Sequence, residues 1–225
     1  MTDSMTSPPA HPTLPTDYIR AVLGPRDAVL DGVLRESLLQ RSMPTIQIDD
    51  NAGRLLQLFT QLRKPARALE IGTLFGYSAI HIARGLPPGG RLTTIDNDPV
   101  AAELARANLV EAGVADRVDV VVGNATEYLA TLTPASVGLI FIDADKKAYP
   151  AYLKACYPLL EDDGLLIADD AFAQGDFSAE NDAGDDSRER AAIHAYNVAV
   201  SRAAKLFSAF VGTENGLMVS QRRVS

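Results

Sequence analysis

The chain has 225 residues, 47% of them hydrophobic, which is enough for one α/β domain with a sizeable core. Its formal net charge of −8 argues against a nucleic-acid partner, because neutralising phosphates takes a basic surface, and no run approaches the ~18 apolar residues of a membrane helix. The single cysteine, Cys156, rules out an intrachain disulfide; its place on an apolar helix face predicts a small buried hydrophobe in a reducing, cytoplasmic setting.

Residues 1–16 are rich in Ser, Thr and Pro and lack the basic start and apolar core of a signal peptide, so they read as a disordered tail ahead of a single domain over 17–225. From 17 to 39 the apolar positions Tyr18, Val22, Val29, Val33, Leu34 and Leu38 recur at helical spacing, and Gly24-Pro25 divides them into two short helices. Leu55, Leu56, Phe59 and Leu62 predict a helix over 51–62. The period then changes. Short apolar strands are expected at 68–71, 92–95, 118–122, 137–142 and 165–168, alternating with helices at 77–83, from Asp98-Pro99 to Gly113, at 125–132 and at 147–160. A polar, glycine-rich loop is expected over 171–186 and a helix over 187–204. Two last strands, 206–211 and 217–220, flank the hairpin signal Thr213-Glu214-Asn215-Gly216.

Strands alternating with helices mean βαβ units and a parallel sheet covered on both faces, here closed by an antiparallel pair. Four of the apolar strands end in acids: Glu70, Asp96, Asp143 and Asp169. Ligands of open α/β sheets bind at that edge.

Two groups of residues carry chemistry. The first is Glu70-Ile71-Gly72-Thr73-Leu74-Phe75-Gly76-Tyr77-Ser78. A dinucleotide site would want G-x-G-x-x-G to seat a pyrophosphate. Here the middle glycine is missing, and Glu70 would repel a pyrophosphate but can receive the ammonium of an amino-acid ligand. Asp96, at the end of the next strand, can accept ribose hydroxyls. The second group is Asp143-Ala144-Asp145-Lys146 with Asp169-Asp170. Three acids on two strand ends form an oxygen-rich set suited to a hard divalent cation such as Mg²⁺ or Ca²⁺. Solvated acids capping helices are the plainer alternative. His81 reads as a packing residue, and neither it nor His194 has a metal-ligand partner at i+4.

The stretches EIGTLFGYSAI, TIDNDP, FIDADKKAYPAY and LLIADD resemble the cation-dependent O-methyltransferase family, which includes catechol and caffeoyl-CoA O-methyltransferases, and most closely its bacterial members. The resemblance implies a Rossmann-like methyltransferase fold with a mostly parallel seven-stranded sheet and an antiparallel C-terminal hairpin. It implies S-adenosylmethionine as methyl donor and a divalent cation, Mg²⁺ first, with Ca²⁺ or Mn²⁺ as alternatives. Glu70, with the backbone of Gly72 and Thr73 and the hydroxyl of Ser78, would hold the methionine portion of the donor. Ile48 would touch it through its backbone, Asp96 would bind the ribose, and Ala125 would lie by the adenine. Asp143, Asp169 and Asp170 would bind the metal, Lys146 would be the catalytic base, and Asp143 would count among the catalytic and donor-binding residues as well. The family usually has Asn at the position of Asp170. The acceptor would be a small aromatic with vicinal hydroxyls, framed by the helices over 17–62 and the loop over 171–186, and the protein a homodimer. The physical logic is that a phenol with a pKa of ~10 is barely nucleophilic at neutral pH, and that lowering this to ~7 next to a dication corresponds to ~4 kcal/mol.

The alternatives are a nicotinamide-dependent oxidoreductase and a non-catalytic cofactor-binding protein on the same fold. The missing middle glycine and Glu70 argue against the first, and Lys146 beside three acids against the second.

Overall fold

The computed structural model describes residues 15–23, 26–173 and 185–224. Most of the expected tail, the Gly24-Pro25 break and the centre of the polar loop lie outside those residues. Helix α1 (Pro15–Leu23) starts two residues before the expected boundary. Tyr18 and Val22 are exposed, so its apolar spacing does not feed the core. Helix α2 (Ala28–Leu34) is capped by Asp27 and buries Leu30 and Val33 before running into a wider π turn, Arg35–Gln40.

Helix α3 (Asp50–Arg63) starts from Asp49, whose Oδ1 accepts the N–H groups of Asn51 and Ala52 at 2.8 and 3.1 Å. Its buried face is Ala52, Gly53, Leu56 and Thr60, while Leu62, expected on that face, is 71% exposed. The shift has a steric cause. Helix α4 (Tyr77–Gly85) crosses so close that the His81 ring covers Gly53 and Gly85 meets the Gln57 carbonyl, so the small residues set the contact face.

Strand β1 (Arg67–Ile71) leads into α4, and β2 (Arg91–Asp96) into α5 (Pro99–Glu111), where Asp98 caps and Pro99 occupies the first turn. Strand β3 (Val118–Val122) is followed by α6 (Ala125–Leu129), three residues shorter than expected, and β4 (Val137–Ile142) by α7 (Tyr149–Cys156). The single helix expected over 147–160 is three pieces, because Pro150 and Pro158 each restart the chain; 3₁₀ turns at Lys146–Ala148 and Tyr157–Leu159 flank α7. Strand β5 (Leu160–Ala168) begins five residues earlier than expected, pairing Leu160 with Val137 before a register shift. Helix α8 (Asp185–Arg202), β6 (Leu206–Val211) and β7 (Leu217–Arg222) complete the chain.

The seven strands lie in the order β3-β2-β1-β4-β5-β7-β6, with β7 antiparallel to both neighbours and the other pairs parallel. Strand alternation divides the core into two layers. Leu139 and Phe141 pack with Leu56, Ile80 and Leu109 on one face, and Ile140 and Ile142 with Tyr149, Cys156 and Tyr196 on the other. Strand order reverses between β1 and β4, which is where such sheets open a crevice for ligands. The strand ends there are stitched together: Gly72 N–H donates to Ile95 O, Asp143 N–H to Ile71 O, and Asp169 N–H to Ile142 O, at 2.9 to 3.0 Å.

Candidate active site

A cavity of about 980 Å³ occupies this crevice. Of the expected site residues, Ile48, Gly72, Thr73, Ser78, Asp96, Ala125, Asp143, Lys146 and Asp170 line it. Glu70 and Asp169 do not reach its surface; both are buried behind it.

The loop after β1 is shaped by its backbone. Gly72 has φ +95°, and a Cβ there would overlap the Asp143 carbonyl oxygen of the neighbouring strand, so only glycine fits. Gly76 takes φ +86° to turn the chain into α4. Asn108 of α5 supports the loop from behind, its Nδ2 donating to Phe75 O at 2.8 Å. Asp96 Oδ2 accepts the N–H groups of Thr73 and Leu74 at 3.0 and 2.8 Å, and Oδ1 accepts Asp98 N–H at 3.0 Å. Asp96 therefore closes the turn as well as facing the cavity.

Glu70 sits inside β1, not at its tip, and is fully buried. Thr94, its register partner in β2, donates to Oε2 at 2.5 Å, and Thr73 Oγ1 lies 2.6 Å from Thr94 Oγ1. Oε1 is buried without a hydrogen-bond partner. Burial pushes the carboxyl up to about 8; Ser78 and Thr94 oppose this, and the charges of Asp143 and Asp96 add to it. Glu70 is thus a carboxyl short of positive charge. Nothing local in the sequence marks Thr94, because a threonine in a strand is ordinary. The register of β2 against β1, which puts it beside an acid, was the signal that could have found it.

The second group assembles as the spacing suggested. One oxygen each of Asp143, Asp169 and Asp170 lie within 4.8 Å of one another. Lys146 Nζ is 2.6 Å from Asp143 Oδ1, 2.6 Å from Asp170 Oδ2 and 3.2 Å from Tyr149 Oη. Tyr149, a residue the sequence did not single out, is fully buried and donates to Asp169 O at 3.1 Å, tying α7 to the end of β5. Burial drives Asp169 well above the carboxylate range, and its neighbours Asp143 and Asp170 push the same way. Asp143 is raised by burial against the pull of Lys146. Burial works to lower Lys146, but Asp143, Tyr149 and Asp170 outweigh it and hold the ammonium protonated. Three carboxyl groups and one ammonium thus share a site in which burial favours the neutral form of Asp169, and hard oxygen donors are gathered within reach of one another. That donor set fits a divalent cation.

Asp170 has φ +55°, a left-handed conformation that Asp and Asn tolerate better than most residues. Ile48 is buried at the entry to α3, and Ala125 begins α6 behind the Asn124 cap. Tyr152, Arg190 and Ile193, from α7 and α8, complete the cavity wall.

Residues 26–223 match the profile of a family described as O-methyltransferase. The chain is 42% identical over 143 residues to a catechol O-methyltransferase of Mycobacterium tuberculosis, a match covering 64% of this chain and 65% of that protein. It is 38% identical over 167 residues to a catechol O-methyltransferase of Niastella koreensis, covering 73% and 75%. The crystal structure of an O-methyltransferase from Bacillus cereus in complex with SAH superposes with a TM-score of 0.81 at 29% identity, covering 92% of this chain and 96% of that one. With a profile match over most of its length and that shared architecture, the chain belongs to the O-methyltransferase family.

Proposed function

We propose that this protein transfers the methyl group of S-adenosylmethionine to one hydroxyl of a small aromatic vicinal diol, with a divalent cation held by Asp143, Asp169 and Asp170. The observation that carries the reading is the convergence, in one crevice, of the Glu70–Asp96 loop and the Asp143–Lys146–Asp170 cluster. Glu70 and Asp96 lie on adjacent strands, β1 and β2, so one carboxyl can serve the amino-acid end of the donor and the other its ribose. Ile48 and Ala125 flank the same cavity and would bracket the donor, with Ala125 by the adenine. The relatives named catechol O-methyltransferase support the acceptor class.

A cation at the three acids would supply the positive charge that makes a phenol acidic near neutral pH. The protein's own part is proton handling and positioning. Lys146 Nζ stands at the cluster and is the base in this reading. Asp143 and Asp170 help hold its proton; neutralising their charge would weaken what opposes burial and so favour the neutral amine. Tyr149 keeps Lys146 from swinging into solvent by accepting from Nζ. A homodimer belongs to the same proposal, supported by the outer strand β6, which leaves Phe207 and Phe210 exposed.

The test is methyl transfer from labelled S-adenosylmethionine to a panel of ortho-diphenols and their mono-hydroxy analogues, with and without chelator. Transfer confined to vicinal diols and abolished by EDTA is expected. Transfer that survives EDTA would sink the metal reading, and equal turnover of mono-hydroxy analogues would sink the chelating acceptor.

A further inference from the structure

The two threonines around Glu70 form a directed chain. Thr94 Oγ1 donates its single proton to Glu70 Oε2 at 2.5 Å when the carboxyl is ionised, as an ammonium ligand requires. The 2.6 Å contact between Thr73 and Thr94 then has Thr73 as donor. All three side chains are buried, with Glu70 and Thr94 at 0% and Thr73 at 1% exposure, so no solvent competes for these bonds. The other carboxylate oxygen, Oε1, is left buried and unpartnered. Ile71, Gly72, Thr73 and Ser78, which surround Glu70 in the chain or favour its charge, line the cavity. A buried carboxylate with Oε2 bonded to Thr94 and Oε1 without a hydrogen bond, directly behind the cavity-lining Ile71, Gly72 and Ser78, is placed to receive a cationic donor.

Thr73 does a second thing. Its backbone N–H donates to Asp96 Oδ2 at 3.0 Å while its hydroxyl feeds the Thr94–Glu70 chain. One residue thus links the acid facing the nucleoside end of the cavity to the acid behind the amino-acid end.

We propose that Thr94 is a positioning residue for the methyl donor: with Thr73 it fixes Glu70 through Oε2 and so reserves Oε1 for the donor's ammonium group. Thr94 touches no ligand itself. Its contribution is to hold one rotamer of a buried acid, and it should matter only to ligands that carry the amino group.

Two nucleosides separate this role from simple packing. S-adenosylhomocysteine carries the amino-acid end, and 5′-methylthioadenosine shares the thioadenosine and lacks it. Calorimetric binding of both to the full chain is measured for the wild type, Thr94→Val and Thr94→Ser. Thr94→Val keeps the side-chain volume and removes the hydroxyl. It is expected to weaken S-adenosylhomocysteine on the order of tenfold, the usual effect of a hydrogen bond to a charged group, and to leave methylthioadenosine unchanged. Thr94→Ser restores the hydroxyl and is expected to restore the affinity. Thr73→Val, which spares the backbone bond to Asp96, should show the same selectivity with a smaller loss, and it carries the test if Thr94→Val does not fold. Equal weakening of both nucleosides, no weakening of either, or failure of Thr94→Ser to restore binding overturns the proposal. So does a wild type that binds both nucleosides alike, because the ammonium would then gain nothing from Glu70.

Discussion

Lys146 Nζ lies 2.6 Å from Asp170 Oδ2, an ion pair formed with both side chains four-fifths buried. The backbone at Asp170 is left-handed, so the position favours Asp, Asn or Gly, and its side chain reaches the cluster from a strained turn. Asp170→Asn keeps the backbone preference and one oxygen ligand while removing a charge. We expect an unchanged fold and a cation affinity lowered by about tenfold, since hard-cation sites weaken as ligand charge falls. Titration with Mn²⁺ followed by electron paramagnetic resonance measures this directly. An Asp170→Asn protein that binds Mn²⁺ as tightly as the parent would show that the extra charge does nothing for the metal.

Removing the amine tests its chemical role. Lys146→Ala should lower single-turnover methyl transfer by about 10²- to 10⁴-fold, the range of general acid–base contributions. Binding of S-adenosylhomocysteine should change little, because the donor's proposed partners are Glu70 and Asp96, on β1 and β2. A loss of less than tenfold in the transfer step would remove Lys146 as the base.

Glu70 predicts a pH-dependent donor affinity. Burial holds its carboxyl near 8 in the empty protein, and an ammonium ligand stabilises the ionised form, so binding expels a proton whenever the pH is below about 8. The dissociation constant of S-adenosylhomocysteine should therefore fall by up to about tenfold per pH unit from 6 to 8 and level off above. Glu70→Gln should bind more weakly and show a flat profile. Calorimetry in buffers of different ionisation enthalpy would count the released proton, and a count near zero at pH 7 contradicts this account.

His81 predicts acid sensitivity. Its ring is buried edge-on to Tyr77, 5.2 Å between centroids, and neither nitrogen has a hydrogen-bond partner. Burial lowers its pKa to about 4, aided by the nearby charge of Arg84, against 6.5 for an ordinary histidine. A group whose folded value is depressed binds its proton first in the unfolded chain. Its contribution is complete above pH 6.5 and lost as the pH falls towards 4, for about 3 kcal/mol of stability. Urea unfolding at pH 7 and pH 4.5 should show a smaller drop for His81→Leu than for the parent. Equal drops would mean that the carboxylates alone carry the acid transition.

What the sequence made legible followed from periodicity and from position relative to strand ends. The seven strands were readable because apolar runs ending in Asp96, Asp143 and Asp169 are interrupted by helical stretches, and because Thr213–Gly216 marks a hairpin. The three clustered acids were legible because they directly follow the carboxyl ends of β4 and β5, although Asp169 itself lies buried behind the cavity wall while Asp143 and Asp170 line it. Failures arose where partners in space decide. Leu62 has helical spacing and faces outward, because Gly53 and Gly85 let two helices approach on a different side. Tyr18 and Val22 keep an amphipathic period with little to pack against. Glu70 looked like a strand-end acid and is an interior one, fully buried, which makes it a carboxyl near 8. Thr94 has meaning only through its register against Glu70, a relation between two strands that no local pattern records.

Asp96 has a consequence for how this site can change over evolutionary time. The carboxylate proposed to read the nucleoside sugar is also the keystone of the turn over Thr73 and Leu74. A drift towards a different nucleotide that traded Asp96 away would release two backbone amides and open the loop. Ligand preference and loop architecture are therefore inherited as one trait, and a lineage that changes its donor must first find another way to close the turn.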